Sequence, residues 1–210
     1  MFTSPLVRHR LTRGLALATA LAVSAAAVLA RQQSAGSSNG PRFEISFSKD
    51  AHAAPITGRV YLAISRVDGR GTPIQQSNET GAPLFGVNVD NLSPGAAAVV
   101  DSTTFGAPVQ SLRDIPAGTY LVQPFVNIYT KFARADGHTV WLHMDQWEGQ
   151  QWKTSPGNLF GDPVTITFDP SSSAPIKLLA DKVIPPMNVP PDTDAVKRIK
   201  IQSQILTKWW

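Results

Sequence analysis

Several short runs of this chain alternate between apolar and polar residues, and that period of two excludes most folds at once. Phe43, Ile45 and Phe47 alternate in RFEISFSK, Val60, Leu62 and Ile64 in GRVYLAIS, and Phe85, Val87 and Val89 in LFGVNVD. Val164, Ile166 and Phe168 do the same in PVTITFD, and Ile176, Leu178 and Ala180 in PIKLLADK. Successive side chains of a strand point to opposite faces, so each run predicts a strand with one buried face. The longest run, TYLVQPFVNIYTKF, puts Leu121, Gln123, Phe125, Asn127 and Tyr129 on one face and Val122, Val126 and Ile128 on the other. No stretch of comparable length sustains the helical period.

Turn signals punctuate these runs: Asp68-Gly69, Ser93-Pro94-Gly95, Pro116-Ala117-Gly118, Asp136-Gly137, Ser155-Pro156-Gly157 and Asp169-Pro170. Many short strands joined by Pro- and Gly-rich turns predict an all-β chain, an antiparallel β-sandwich over residues 42–183. The run LRDIPAGTYLV, a tight turn feeding a strand at Tyr120, resembles Ig-like and transthyretin-like modules. The chain has no Cys, so no disulfide staples it and the hydrophobic core alone must hold it. Roughly 140 residues suffice for such a core.

The flanks differ in character. Arg8, Arg10 and Arg13 precede the apolar run LALATALAVSAAAVLA, and Val28 and Ala30 stand at the −3 and −1 positions before Arg31. That layout predicts a signal peptide at residues 1–30, hence a secreted or periplasmic protein with no membrane attachment after cleavage. Of 19 Lys and Arg, those three lie in the leader, leaving 16 against 15 acidic residues, a net charge of +1. No basic run remains that would engage nucleic acid. Residues 31–41 (RQQSAGSSNGP) read as a flexible leader. They contain Gly36-Ser37-Ser38-Asn39-Gly40, which fits G-x-S-x-G in letters but lacks the strand and helix that a nucleophile elbow requires. Residues 184–195, with two Pro-Pro pairs, predict a stiff linker or strap. Residues 196–210 resume apolar alternation at Ile199 and Ile201 and run into Trp209 and Trp210, which predicts the start of a further domain or a tail docked on the sandwich.

The densest chemistry lies in DGHTVWLHMDQWEGQQW, Asp136 to Trp152. His138 and His143 with Asp145 or Glu148 have the ligand types of a zinc site, but residues five apart on a strand face opposite sides. Asp145 and Glu148 could pair as acid and base across a sugar. Trp141, Trp147 and Trp152, with His138, His143, Asp145 and Glu148 around them, could form a platform for carbohydrate or another planar ligand. The simplest reading is a long inter-strand loop anchored by its Trp rings and tied by its polar groups. A small metal- or carboxylate-dependent hydrolase on these residues is one alternative; the leading reading expects no metal and no organic cofactor.

The order ITGRVYLAISR, DIPAGTYLVQPFVNIYT, RADGHTVWLHMDQWEGQQW, SPGNL, KVIPPMNVPPDT and VKRIKIQSQILTKWW resembles the N-terminal region of bacterial secreted esterases, enterochelin-esterase-like proteins with an α/β-hydrolase domain. The likeness runs from about Phe43 to Trp210. It implies a noncatalytic accessory sandwich whose partner is a hydrolase domain in cis. It also implies that the catalytic Ser, acid and His belong to that later domain, so that no catalytic residue is expected in these 210 residues. Ile199, Ile201, Trp209 and Trp210 are then the expected interdomain contacts. The alternative is a stand-alone ligand-binding sandwich using the Trp-rich window.

Overall fold

The computed structural model describes residues 40–143, 151–186, 188, 191–199 and 201–208. The segment predicted as a signal peptide, nearly all of the predicted leader with its G-x-S-x-G letters, and Asp145, Trp147, Glu148, Trp209 and Trp210 lie outside the described residues.

The chain is all-β. In order it forms β1 (Arg42–Phe47), β2 (Ile56–Arg66), a single helical turn α1 (Pro73–Gln76), β3 (Leu84–Leu92), β4 (Ala98–Asp101), β5 (Gly106–Ala107), β6 (Gly118–Ala133) and β7 (Thr139–His143). Then come β8 (Leu159–Phe160), β9 (Val164–Phe168), β10 (Pro175–Ala180), β11 (Lys182–Val183) and the short helix α2 (Gln204–Thr207). A three-stranded sheet runs β10-β1-β4, and an eight-stranded sheet runs β11-β8-β6-β2-β3-β5 with β7 and β9 also on β6. Pairing is antiparallel except between β1 and β10, which run parallel from Arg42↔Pro175 to Phe47↔Ala180. That departs from the purely antiparallel expectation. A parallel pair needs a long crossover, and here nearly the whole domain is the connection.

The alternation in β1 buries Phe43, Ile45 and Phe47, and β2 adds Val60, Leu62 and Ile64, all at most 1% exposed. With Val100, Val122, Val126, Leu178 and Ala180 these residues of both sheets make one hydrophobic cluster. Each large side chain so buried contributes about 1.5–3 kcal/mol. Tyr120 closes one end of this core, its hydroxyl donating to the carbonyl of Pro116 at 2.9 Å.

The centre of the large sheet is buried on its other face as well. There Ala63 and Phe125 cluster with Ile74 of α1, and Trp152, Phe160 and Ile184 pack against them. The two faces of β6 are those set by alternation, yet both are covered around Phe125, where one buried face was expected. Gln123 fixes this second layer. Its Oε1 accepts the N–H of Ile74 at 3.1 Å and its Nε2 donates to the carbonyl of Gly161 at 2.9 Å.

Two expectations need correction. Thr139–His143 is a strand, not part of a loop. It pairs with β6 from Tyr129↔His143 to Ala133↔Thr139, closed by a turn whose Gly137 has φ 83°. Nor do Ile199 and Ile201 lie on a strand: residues 191–199 and 201–203 are irregular before α2. A segment with strand-like alternation cannot form a sheet without a neighbour to pair with. At the start of the Pro-rich segment Ile184 is tied down, exchanging backbone hydrogen bonds with Asn158 and Gly157 at 2.9 Å each.

Candidate functional site

β6 builds the site because it reaches past its partners. Along one edge it pairs with β2, and along the other with β9, β8 and β7 in succession. Directly paired residues share a face, so the pairs Tyr61↔Phe125, Arg59↔Asn127, Lys131↔Trp141 and Tyr129↔His143 bring these eight side chains to one side of the sheet. This is the side that also carries Trp152.

Trp152 opens a short 3-10 turn, Trp152–Thr154. Its ring stacks on Tyr61 with centroids 4.6 Å apart and meets Phe125 edge-on at 5.3 Å. The Lys153 ammonium lies 5.7 Å from the Trp152 ring centroid and donates to the carbonyl of Ser77. The turn is held from below by Asn158, whose Nδ2 donates to the Trp152 carbonyl at 2.8 Å while its Oδ1 accepts the N–H of Ile128 at 2.9 Å. Trp152 is therefore a packing element, set beside Ile184 against the Ala63–Phe125 cluster with neighbours on its ring.

Arg59 lies over the Tyr61 ring at 5.5 Å and is braced by Asn88 Oδ1 at 2.7 Å and the Gly86 carbonyl at 3.0 Å. Burial pushes the Tyr61 hydroxyl above the ordinary tyrosine pKa, and neighbouring Tyr129 adds to the rise; Arg59 and Asn127 oppose it. Burial likewise lowers the pKa of Lys153. Asn127 is 3% exposed, and its Oδ1 has no hydrogen-bond partner among the described residues; nor has the buried Nδ1 of His143. Buried polar atoms are nearly always paired, so these two are the least satisfied groups of the face.

The predicted site residues separate. His143, Trp141 and Trp152 lie on this face, Trp141 with 44% of its surface exposed. His138 sits in the hairpin turn, 3.3 Å from Asp136, which also pairs with Arg134 at 3.0 Å. The five-residue strand puts His138 and His143 roughly 16 Å apart along the chain. Among the described residues, no three His, Asp or Glu come together. Arg59 and Tyr61 join the face unanticipated. Their contact with the window depends on the β2–β6 register, which no local motif encodes. Phe125, Asn127 and Tyr129 were visible in the sequence as neighbours on one face of β6. The face offers aromatic surface, an amide, an imidazole and a guanidinium, groups suited to stacking and hydrogen bonding.

The chain matches no family model, no curated protein and no solved structure.

Proposed function

We propose that this chain is a noncatalytic β-sandwich accessory domain of the kind that precedes the α/β-hydrolase domain in secreted esterases, and that it packs against such a domain or positions its substrate. In this reading residues 1–30 direct export and the hydrolase is a partner in cis. Two sheets around one core support a sandwich, and the Tyr120–Pro116 hydrogen bond supports an Ig-like or transthyretin-like type, where such a corner is common. The observation that carries the proposal is the exposure of Ile199 and Ile201, 78% and 83%. A single exposed Ile is ordinary, but Val196, Ile199, Ile201, Ile205 and Leu206 are exposed together on one short segment. Such a concentration marks a contact surface. The test is the intact mass of the exported protein from its native host, read beside the coding DNA beyond Trp210. A mass above that of residues 31–210, with a hydrolase frame downstream, is expected; a mass equal to it overturns the proposal.

A second reading is binding of carbohydrate or another planar ligand at the Trp-rich face. It is favoured by the exposed ring of Trp141 and by Asn127 Oδ1 and His143 Nδ1, buried without a partner among the described residues. Titrating Trp fluorescence with a panel of glycans tests it. A saturable shift lost in Trp141→Ala is expected, and an unresponsive protein rejects it.

A further inference from the structure

A cleft of about 630 Å³ opens where β2 ends, β6 begins and the chain returns from α1 to β3. That volume falls within the range of small-molecule sites. Pro83 and Val109 line it together with the edges of the core residues Ile64 and Ile115, and Ser65, Gln76 and Asn78 add polar groups. The wall carries one base, Arg66, and one acid, Asp114. Asp114 is engaged locally: its Oδ2 accepts the N–H of Ser111 at 3.2 Å. Arg66 forms no ion pair among the described residues. Its guanidinium lies 5.6 Å from the centroid of the Tyr120 ring, and the Tyr120 hydroxyl is itself held by Pro116 at 2.9 Å. The cation thus stands on the cleft wall over the Tyr120 ring.

We infer that this cleft binds a singly charged amphipathic carboxylate, its apolar body on Pro83 and Val109 and its carboxylate on Arg66. The guanidinium fork matches a carboxylate in two parallel hydrogen bonds, and its charge strengthens them. The aliphatic walls reward burial of a hydrocarbon body. Asp114 on the same wall disfavours more highly charged anions. This inference does not depend on the esterase reading.

Titration calorimetry on the whole chain tests it with three probes: decanoate, decanol and phosphatidylglycerol vesicles. Decanoate is expected to bind saturably and about tenfold or more tighter than decanol, the difference a charge-assisted hydrogen bond makes. Arg66→Gln should bring decanoate down to the level of decanol. Val109→Trp, which fills the cleft, should abolish binding of both. The unfolding transition of each variant checks that the fold is intact. Equal affinity for decanoate and decanol, or no binding of either, overturns the inference. So does binding that survives both substitutions, as association with the exposed apolar tail would. Binding to vesicles without binding of decanoate assigns the surface to a lipid headgroup and also overturns it.

Discussion

Gln123 lies in the middle of β6, 2% exposed, with its amide divided between two backbone groups of different segments. It accepts from Ile74 at 3.1 Å and donates to Gly161 at 2.9 Å, both bonds buried. Gln123→Met keeps the length of the side chain and removes both partners. A buried group left without its hydrogen bond costs about 1–3 kcal/mol, so two such groups, partly offset by relaxation, should cost about 2–4 kcal/mol. That is a large share of the roughly 5–15 kcal/mol that holds a domain folded. Urea unfolding followed by Trp fluorescence reads the loss as a lower midpoint at unchanged slope. Gln123→Glu separates the two bonds. Its carboxylate can still accept from Ile74, but towards Gly161 it presents lone pairs to lone pairs, and only the protonated acid restores a donor. Burial and that contact raise its folded pKa above the unfolded value. This variant should therefore be most stable below the ordinary Glu value and lose stability as pH rises through the raised folded value. A loss under about 0.5 kcal/mol in Gln123→Met, the range of a neutral surface change, would refute the reasoning. So would a Glu variant with the same pH dependence as the parent.

Other consequences are as direct. Asn158→Ala strips partners from the Ile128 N–H and the Trp152 carbonyl, and should cost about 2–3 kcal/mol by urea midpoint, with a red shift of Trp emission. Gly58→Ala drives a Cβ into the carbonyl oxygen of Asn127 across the β2–β6 pair. The strands must separate there, so thermal unfolding should report a loss of about 1–3 kcal/mol, and an unchanged midpoint contradicts the close approach. Tyr61, its pKa raised chiefly by burial, is held neutral by the fold. Its stabilising contribution is complete below the ordinary tyrosine value and declines as pH rises past it. Tyr61→Phe should flatten that alkaline decline in urea midpoints, whereas superimposable curves for the two proteins would exclude the effect.

The strand set was legible because alternation is a local property. Phe43, Ile45 and Phe47, or Val60, Leu62 and Ile64, declare a buried face without reference to anything distant, and the structure buries all six. The two faces of β6 were equally readable. Short strands were not: Ala98–Asp101, Leu159–Phe160 and Lys182–Val183 are too brief to establish a period. Thr139–His143 was obscured by its chemistry. His and Trp in a polar window look like a binding loop, yet β6 extends beyond β2 and offers these residues an edge to pair with.

The sequence by itself determined the all-β class, the positions of the turns and the side each residue of a strand would face, because turn residues and period-two alternation act over a few neighbouring bonds. It also placed a Trp-rich segment after β6. Only the tertiary structure decided what meets what. It laid β10 parallel to β1, covered the outer face of Phe125 with Ile74, Trp152 and Ile184, and gave Gln123 its two buried bonds. It set Trp152 on Tyr61, across more than ninety residues of chain. Such contacts come from strand register and from closing long loops, and no nearby residue specifies either.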